Sequence, residues 1–269
     1  MTWSPRLVAT DLDGTIVRSD ACISPRTLSV LARIETADVP FVMVTGRPPR
    51  WMAQVADQTN HRGLAICANG ALLYDLHTEQ VVQSHLLDAA AAEQVVAALR
   101  QAVPGIAFAV ERGPADGKPG GFAREPHYVP KWEQEDLQVL ATDDELFATG
   151  AVKLLARHRE LDSDALLAAA RTALIGMAET THSSADGLIE ISAVGISKAS
   201  GLAAFCEQQG VAAADVVAFG DMPNDLPMLA WAGYSVAMGN GHPDVREAAD
   251  EVTGHVDDDG VAQVLERWF

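Results

Sequence analysis

Three short apolar runs constrain this chain more than any other feature, because each one stops on a polar residue. Leu7-Val8-Ala9-Thr10 leads into Asp11, Phe41-Val42-Met43-Val44 into Thr45, and Val216-Val217-Ala218-Phe219 into Gly220 and Asp221. Continuous apolar runs of this length, without alternation, fit strands covered on both faces of a parallel sheet. In such sheets ligands bind in the crevice beyond the carboxyl ends of the strands, where these polar residues fall. The first run continues as Asp11-Leu12-Asp13-Gly14-Thr15. Two carboxylates spaced two apart, then a glycine and a hydroxyl, suit a cation held beside a nucleophile. They equally suit a calcium-binding turn.

Helical periodicity fills the intervals. Ser24-Pro25 reads as an N-cap and a first-turn proline, with Leu28, Leu31, Ala32 and Ile34 following at helical spacing. Pro48-Pro49 predicts the start of another helix, and residues 64–68 a third buried strand. Asn69-Gly70, between Ile66-Cys67-Ala68 and Leu72-Leu73-Tyr74, is a tight-turn signal with hairpin arms. The rhythm then changes. A helix is expected over 89–102, a strand over 106–111, a glycine- and proline-rich loop over 113–121, a strand over 151–156, a helix over 163–175, and strands over 178–182 and 188–191. Residues 124–135 mix aromatic and charged side chains and predict no element. Helix 197–209 and strand 216–219 restore the first pattern, followed by helix 223–231, strand 234–237 and helices 243–249 and 261–268. Asp257-Asp258-Asp259 reads as a solvated turn or cap before the last helix. The fold class is therefore α/β: a doubly wound, mostly parallel, Rossmann-like core from residues 1–85 and 193–269, with an α+β domain inserted over 86–192.

Hydrophobic residues make up 48% of the 269, enough for a sizeable core. Acids outnumber bases 37 to 19, a formal charge of −18, which disfavours binding to nucleic acid phosphates or anionic membranes. A small anionic substrate stays compatible, since a bound cation and a few placed bases reverse the local field. Cys22, Cys67 and Cys206 are odd in number and far apart, so neither a disulfide framework nor a zinc knuckle is predicted. Cys67 and Cys206 read as packing, and the histidines, among them His127, His182 and His242, show no ligand spacing. No signal peptide is read at the N-terminus, and no apolar stretch reaches the roughly 18 residues of a membrane span. A cytoplasmic protein is expected.

Taken in order, the polar residues resemble the four motifs of the haloacid dehalogenase (HAD) superfamily of phosphotransferases. Asp11-Leu12-Asp13-Gly14-Thr15 is similar to motif one and Thr45-Gly46-Arg47 to motif two. Lys198, in Gly195-Ile196-Ser197-Lys198, is similar to motif three, and Gly220-Asp221-Met222-Pro223-Asn224-Asp225 to motif four. Asn69-Gly70-Ala71 and Ala237-Met238-Gly239-Asn240-Gly241 resemble the Cof-type branch, whose α+β cap lies between motifs two and three. The likeness covers the α/β part; over the cap it is one of position. Two residues depart from the Cof pattern: Ala199 stands where glycine is usual, and Gly241 where alanine is usual.

The resemblance implies a Mg²⁺-dependent phosphomonoester hydrolase acting on a small phosphorylated metabolite, a sugar phosphate foremost, through an aspartyl-phosphate. Asp11 is then the nucleophile, and Asp13 the acid that protonates the leaving alcohol and later the base that activates water. Asp11, the backbone carbonyl of Asp13 and Asp221 would hold Mg²⁺, with Asp225 joining or supporting them. Thr45, Gly46, Arg47 and Asn224 fall on the phosphate side, and Lys198 neutralises the phosphoryl charge and orients Asp11. Taken alone, Lys198 would be a solvated residue at a helix start, Asn69-Gly70 a turn, and Arg47 a partner of surface acids. Thr15 either orients Asp13 or caps the turn. The cap is expected to close over the site and contact the rest of the substrate, with Arg112, Lys118, Arg124, His127, Tyr128, Lys131 and Trp132 as candidates. Two other readings are a phosphosugar mutase, which would want a denser basic patch in the cap, and a non-catalytic phosphosugar-binding regulator, which would not need Asp11.

Overall fold

The computed structural model describes residues 3–130, 138–140 and 142–269, which divide into two compact units, 1–78 with 197–269, and 79–196. Lys131 and Trp132 lie outside the described residues. Among the described residues no helix is long and apolar enough to cross a membrane.

In the first unit the strands run in the order Glu251–Val252, Tyr234–Ala237, Val216–Gly220, Leu7–Thr10, Phe41–Val44, Leu64–Cys67 and Leu72–Asp75. All adjacent pairs are parallel except the last, which is antiparallel. The strand Leu7–Thr10 is fully buried, as its unbroken apolar run requires, and it lies between the other two runs. The register pairs Thr10 with both Phe219 and Met43, so Asp11, Asp221 and Thr45 emerge side by side at the carboxyl edge. The chain leaves the central strand to one side and returns on the other, which makes this edge the topological switch point. Leu7, Ala9, Val42, Val44 and Ile66 pack against Leu202, Phe205 and Cys206 of the helix Lys198–Gln209 and against Met228. Cys206 is a core side chain, and burial pushes its thiol up to about 11.

Local chemistry explains the element boundaries. The Ser24 hydroxyl accepts from the Thr27 N–H and caps the helix Pro25–Thr36. Ser197 caps the helix Lys198–Gln209, which Gly210 ends in the left-handed region at φ 65°. Pro49 opens only a single 3₁₀ turn, Pro49–Trp51, before the helix Ala53–Thr59 begins. The helix expected over 223–231 is likewise split into a 3₁₀ turn, Pro223–Asp225, and an α-helix, Leu226–Trp231, with Pro227 in the first turn of the second piece. The hairpin between Leu64–Cys67 and Leu72–Asp75 is present, but its turn is longer than two residues: Ala68, Asn69 and Gly70 all have positive φ. Glu251–Val252 is a short edge strand that lacks an apolar run and gives no sequence signal.

The second unit carries a six-stranded sheet in the order Glu179–Thr181, Leu188–Ser192, Ala151–Arg157, Ala107–Arg112, Phe122–Arg124 and Gln138–Val139. Its pairs are antiparallel except for the last. The helices Ala89–Ala102 and Ser163–Ala173 cover one face, burying Val96, Leu99, Leu166 and Ala170 against Phe108, Leu154 and Ile189. Asp88 and Asp162 cap these two helices. The other face gathers Ala109, Phe122, Tyr128, Leu155 and Leu188, and also the buried ion pair Lys153–Glu190 at 2.5 Å. The strand Gln80–Ser84 and the helix Asp143–Phe147, which Thr142 opens with a capping box, are elements the sequence did not announce.

Candidate active site

The site is built on the carboxyl edge of the first unit. Asp11 follows the central strand and is buried. Leu12 turns the chain sharply, since its carbonyl accepts from the N–H groups of Thr15, Ile16 and Val17 at 2.8–3.1 Å. Gly14 holds φ +81°, and a Cβ there would overlap the Asp221 carboxylate, with Cγ only 2.9 Å away. A glycine is thus required both by the backbone angle and by the approach of the second acid.

Lys198 is wholly buried, and its Nζ donates to Asp11 Oδ1 and to Asp225 Oδ1, each at 2.6 Å. The reading of Lys198 as a solvated helix-start residue is therefore wrong. The other oxygen of Asp225 accepts from the N–H groups of Asp221 at 2.9 Å and Met222 at 3.0 Å. Asp225 thus folds the loop that presents Asp221, with both of its own oxygens engaged. A Cβ on Gly220 would meet that of Asp225 at 2.5 Å, so the close return of this loop also depends on a glycine. Thr15 donates to Asp221 Oδ1 at 3.3 Å, so it steadies Asp221 and not Asp13.

The oxygens of Asp11, Asp221 and Asp225 lie within 4.8 Å of one another. Burial dominates their titration. It pushes Asp11 up to about 7, with Lys198 opposing and the neighbouring acids reinforcing the shift. Asp221 is also held well above the ordinary carboxylate range, first by burial and then by Asp11 and Asp225. Three acids forced together at this depth are costly unless a cation joins them. An all-carboxylate set of hard oxygen donors fits a hard divalent cation such as Mg²⁺. Oδ1 of Asp11 already accepts from Lys198 and Oδ1 of Asp221 from Thr15, which leaves the second oxygen of each acid outside these two bonds.

Motif two lies beside them. The buried Thr45 hydroxyl accepts from the Arg47 N–H at 3.0 Å, and its carbonyl accepts from the Asn69 N–H at 3.0 Å, with Gly46 half-buried in between. Arg47 pairs with an acid, and that acid is Asp13: Nε donates to Oδ2 at 2.7 Å and Nη2 to Oδ1 at 2.5 Å. Asn224 donates from Nδ2 to Asn69 Oδ1 at 3.1 Å, while its own Oδ1 is buried with no hydrogen-bond partner among the described residues. Asn69 is thus more than a turn residue, since its backbone N–H on Thr45 and its side chain on Asn224 together tie motif two to motif four.

Two residues named in the sequence have partners that the sequence did not indicate. Asn240 donates from Nδ2 to the Gly14 carbonyl at 2.8 Å. The aspartate run forms the turn Val256–Asp258 directly before the last helix, with Asp258 exposed and Asp259 at the N-cap position, and Asp257 in addition accepts from both the N–H and the hydroxyl of Ser19, at 3.1 and 3.0 Å. Of the two departures from the Cof pattern, Gly241 has a local cause: a Cβ there would meet Met238 O at 2.9 Å and Asp221 O at 3.1 Å. Nothing in the structure explains Ala199.

Residues 8–265 match the haloacid dehalogenase-like hydrolase family. The chain belongs to this family. Among characterised relatives it is 27% identical to the 5-amino-6-(5-phospho-D-ribitylamino)uracil phosphatase YitU of Bacillus subtilis, covering all of this chain and 99% of the other. It is 29% identical to the pyridoxal phosphate phosphatase YbhA of Escherichia coli, over 97% of each. It is 28% identical to an HMP-PP phosphatase of Serratia proteamaculans, over 98% of this chain and 95% of the other. A haloacid dehalogenase-like hydrolase from B. subtilis has the same fold, with a TM-score of 0.82 at 22% identity over 98% of this chain and 100% of the other. The phosphatase BT1666 from Bacteroides thetaiotaomicron gives 0.80 at 22% identity over 98% and 95%. The chain is a HAD-type phosphatase, as these relatives are.

In the second unit, two of the proposed contact residues, Arg112 and Arg124, are hydrogen-bonded within the unit, and the side chains of Lys118 and His127 are exposed. Arg112 donates to Gln138 Oε1 at 2.9 Å and to the Glu145 carbonyl at 3.0 Å. Arg124 donates to the carbonyls of Glu125, Pro126 and Tyr128 at 2.9–3.1 Å, Tyr128 is buried, His127 is exposed, and Lys118 closes a small turn with Ala115.

Proposed function

We propose that this phosphatase is a Mg²⁺-dependent phosphomonoester hydrolase working through an aspartyl-phosphate on Asp11, with a small phosphorylated metabolite as substrate. The observation that carries the reading is Lys198 fixed between Asp11 and Asp225 beside Asp221. A binding site for a phosphate would gain nothing from a buried acid aimed at the anion, whereas a nucleophile must stand there.

Each residue then has a distinct task. Asp11, Asp221 and the backbone carbonyl of Asp13 hold Mg²⁺, which when bound offsets the phosphoryl charge that would otherwise repel the carboxylate. Lys198 keeps the Asp11 carboxylate oriented and adds a second positive charge in a water-poor setting. Asp225 acts as a support, holding Lys198 and the Asp221 loop. Thr45, Gly46 and Asn224 line the phosphoryl side. Asp11 attacks phosphorus, the bond to the leaving oxygen breaks, and Asp13 gives that oxygen its proton. Asp13 then takes a proton from the water that hydrolyses the acyl phosphate, which frees inorganic phosphate and restores Asp11. Arg47 holds Asp13 between turnovers and releases it for proton transfer.

The unit 79–196 is assigned the role of specificity cap. Sugar phosphates are the favoured substrates, and the names of the relatives add phosphorylated ring compounds such as pyridoxal phosphate. The test is a phosphomonoester panel containing both groups, run with Mg²⁺ on wild type and Asp11→Asn. Phosphate release by wild type, abolished by chelator and lost in Asp11→Asn, is expected. A variant as active as wild type would end the aspartyl-phosphate reading.

A further inference from the structure

Gly14 presents a problem that the motif residues do not solve. It must lack a side chain, because Asp221 occupies the space of a Cβ. A glycine at φ +81° is the softest link in the backbone that carries the carbonyl of Asp13. Both peptide groups flanking Gly14 are nevertheless tied. Its N–H donates to the Val17 carbonyl at 3.1 Å, and its carbonyl accepts from Asn240 Nδ2 at 2.8 Å. Asn240 is itself locked, since its Oδ1 accepts from the Val256 N–H at 2.8 Å. Turning the amide over would set oxygen against the Gly14 carbonyl and NH₂ against an N–H, so only one orientation is satisfied. The loop that carries Asn240 also grips the second acid, because the His242 N–H donates to the Asp221 carbonyl at 2.7 Å.

We propose that Asn240 is a positioning residue for the magnesium site: by fixing the Gly14 carbonyl it sets the direction of the Asp13 carbonyl and ties the Asp13 turn to the Asp221 loop. It touches neither substrate nor metal. The proposal rests on the Mg²⁺ reading above and adds a residue to it. Groups that orient metal ligands from behind commonly change metal affinity by about 10- to 100-fold when removed.

The test is calorimetric titration of Mg²⁺ into substrate-free protein, for wild type, Asn240→Ala and Thr253→Val. Thr253 donates to the Gly260 carbonyl at 2.7 Å in the neighbouring loop, which carries Val256, the partner of the Asn240 amide oxygen, and does not hold Gly14, so it reports on loop damage alone. Asn240→Ala is expected to raise the Mg²⁺ dissociation constant about tenfold, while Thr253→Val stays within twofold of wild type. With saturating Mg²⁺, kcat of Asn240→Ala is expected to recover most of its loss and KM to stay unchanged. Deuterium exchange of the segment 12–17 is expected to quicken in Asn240→Ala without metal. If the alanine variant does not fold, Asn240→Gln, which keeps the amide but moves it by one methylene, carries the same expectations. An unchanged dissociation constant with unchanged exchange overturns the proposal while leaving the magnesium reading intact. Wild type that binds no Mg²⁺ overturns both.

Discussion

Arg47 holds both carboxylate oxygens of Asp13, donating from Nε at 2.7 Å and from Nη2 at 2.5 Å. Arg47 is mostly buried while the Asp13 side chain is 60% exposed, so the more rigid partner fixes the looser one. A guanidinium fork matched to a carboxylate cannot be reproduced by an ammonium. The acid of the proposed reaction is therefore aimed by a residue that sequence reading had placed on the phosphate.

Arg47→Lys is accordingly expected to impair proton delivery more than phosphate binding. The loss in kcat should be about 10- to 100-fold for an alkyl phosphate, whose leaving oxygen needs a proton. For p-nitrophenyl phosphate, whose leaving group does not, it should be much smaller. Steady-state kinetics on the two substrates decide the matter, and equal losses would return Arg47 to phosphate binding.

Lys198 pairs with two buried acids at once. Lys198→Ala leaves both without their cation, and removing one member of a buried charge group typically costs about 3–5 kcal/mol. Urea unfolding in the presence of chelator should show a loss of this order at pH 8. The deficit should shrink at pH 5, where Asp11 takes up a proton.

The raised pKa of Asp11, about 7, and that of Asp221 above the ordinary range both arise first from burial. Metal requires the deprotonated acids, so Mg²⁺ binding near neutral pH must expel protons. Affinity is therefore expected to weaken as pH falls below 7, by up to about tenfold per pH unit for one displaced proton. Calorimetry in two buffers of different ionisation enthalpy measures the proton release directly. A heat independent of buffer at pH 6.5 would contradict the assignment.

His61 packs edge-on against Phe41, with ring centroids 5.4 Å apart, and burial lowers its pKa below 6.5 despite a hydrogen bond to the Leu64 backbone. A lowered histidine pKa means that the unfolded chain binds more protons, so stability is full above pH 6.5 and declines as pH falls through the folded value. The slope from one group cannot exceed about 1.4 kcal/mol per pH unit. Denaturation of wild type and His61→Phe between pH 5 and 8 should show a flatter acid limb in the variant.

Much of the first unit was readable from its amino acids, because a strand buried on both faces must be an apolar run and its polar end must meet the crevice. Asp11, Thr45 and Asp221 could be found this way. Asn69-Gly70 marked its hairpin, though the turn took four residues where a tight turn needs two. Lys198 stood out only through its place in the series, since a lone lysine at a helix start is ordinarily solvated. Weaker elements escaped: Glu251–Val252 has no apolar pattern, and Gln80–Ser84 and Asp143–Phe147 are short and polar.

The sequence by itself determined the fold class, the order of the motifs and the residue types gathered at the sheet edge, since these follow from local periodicity and composition. Only the tertiary structure decided what each polar group holds. Arg47 turned to Asp13, Thr15 to Asp221, Asn69 to Asn224 and Asn240 to Gly14, across as many as 226 residues. Such pairings depend on separations held to within a few tenths of an ångström between residues distant in the chain, and no local pattern encodes them.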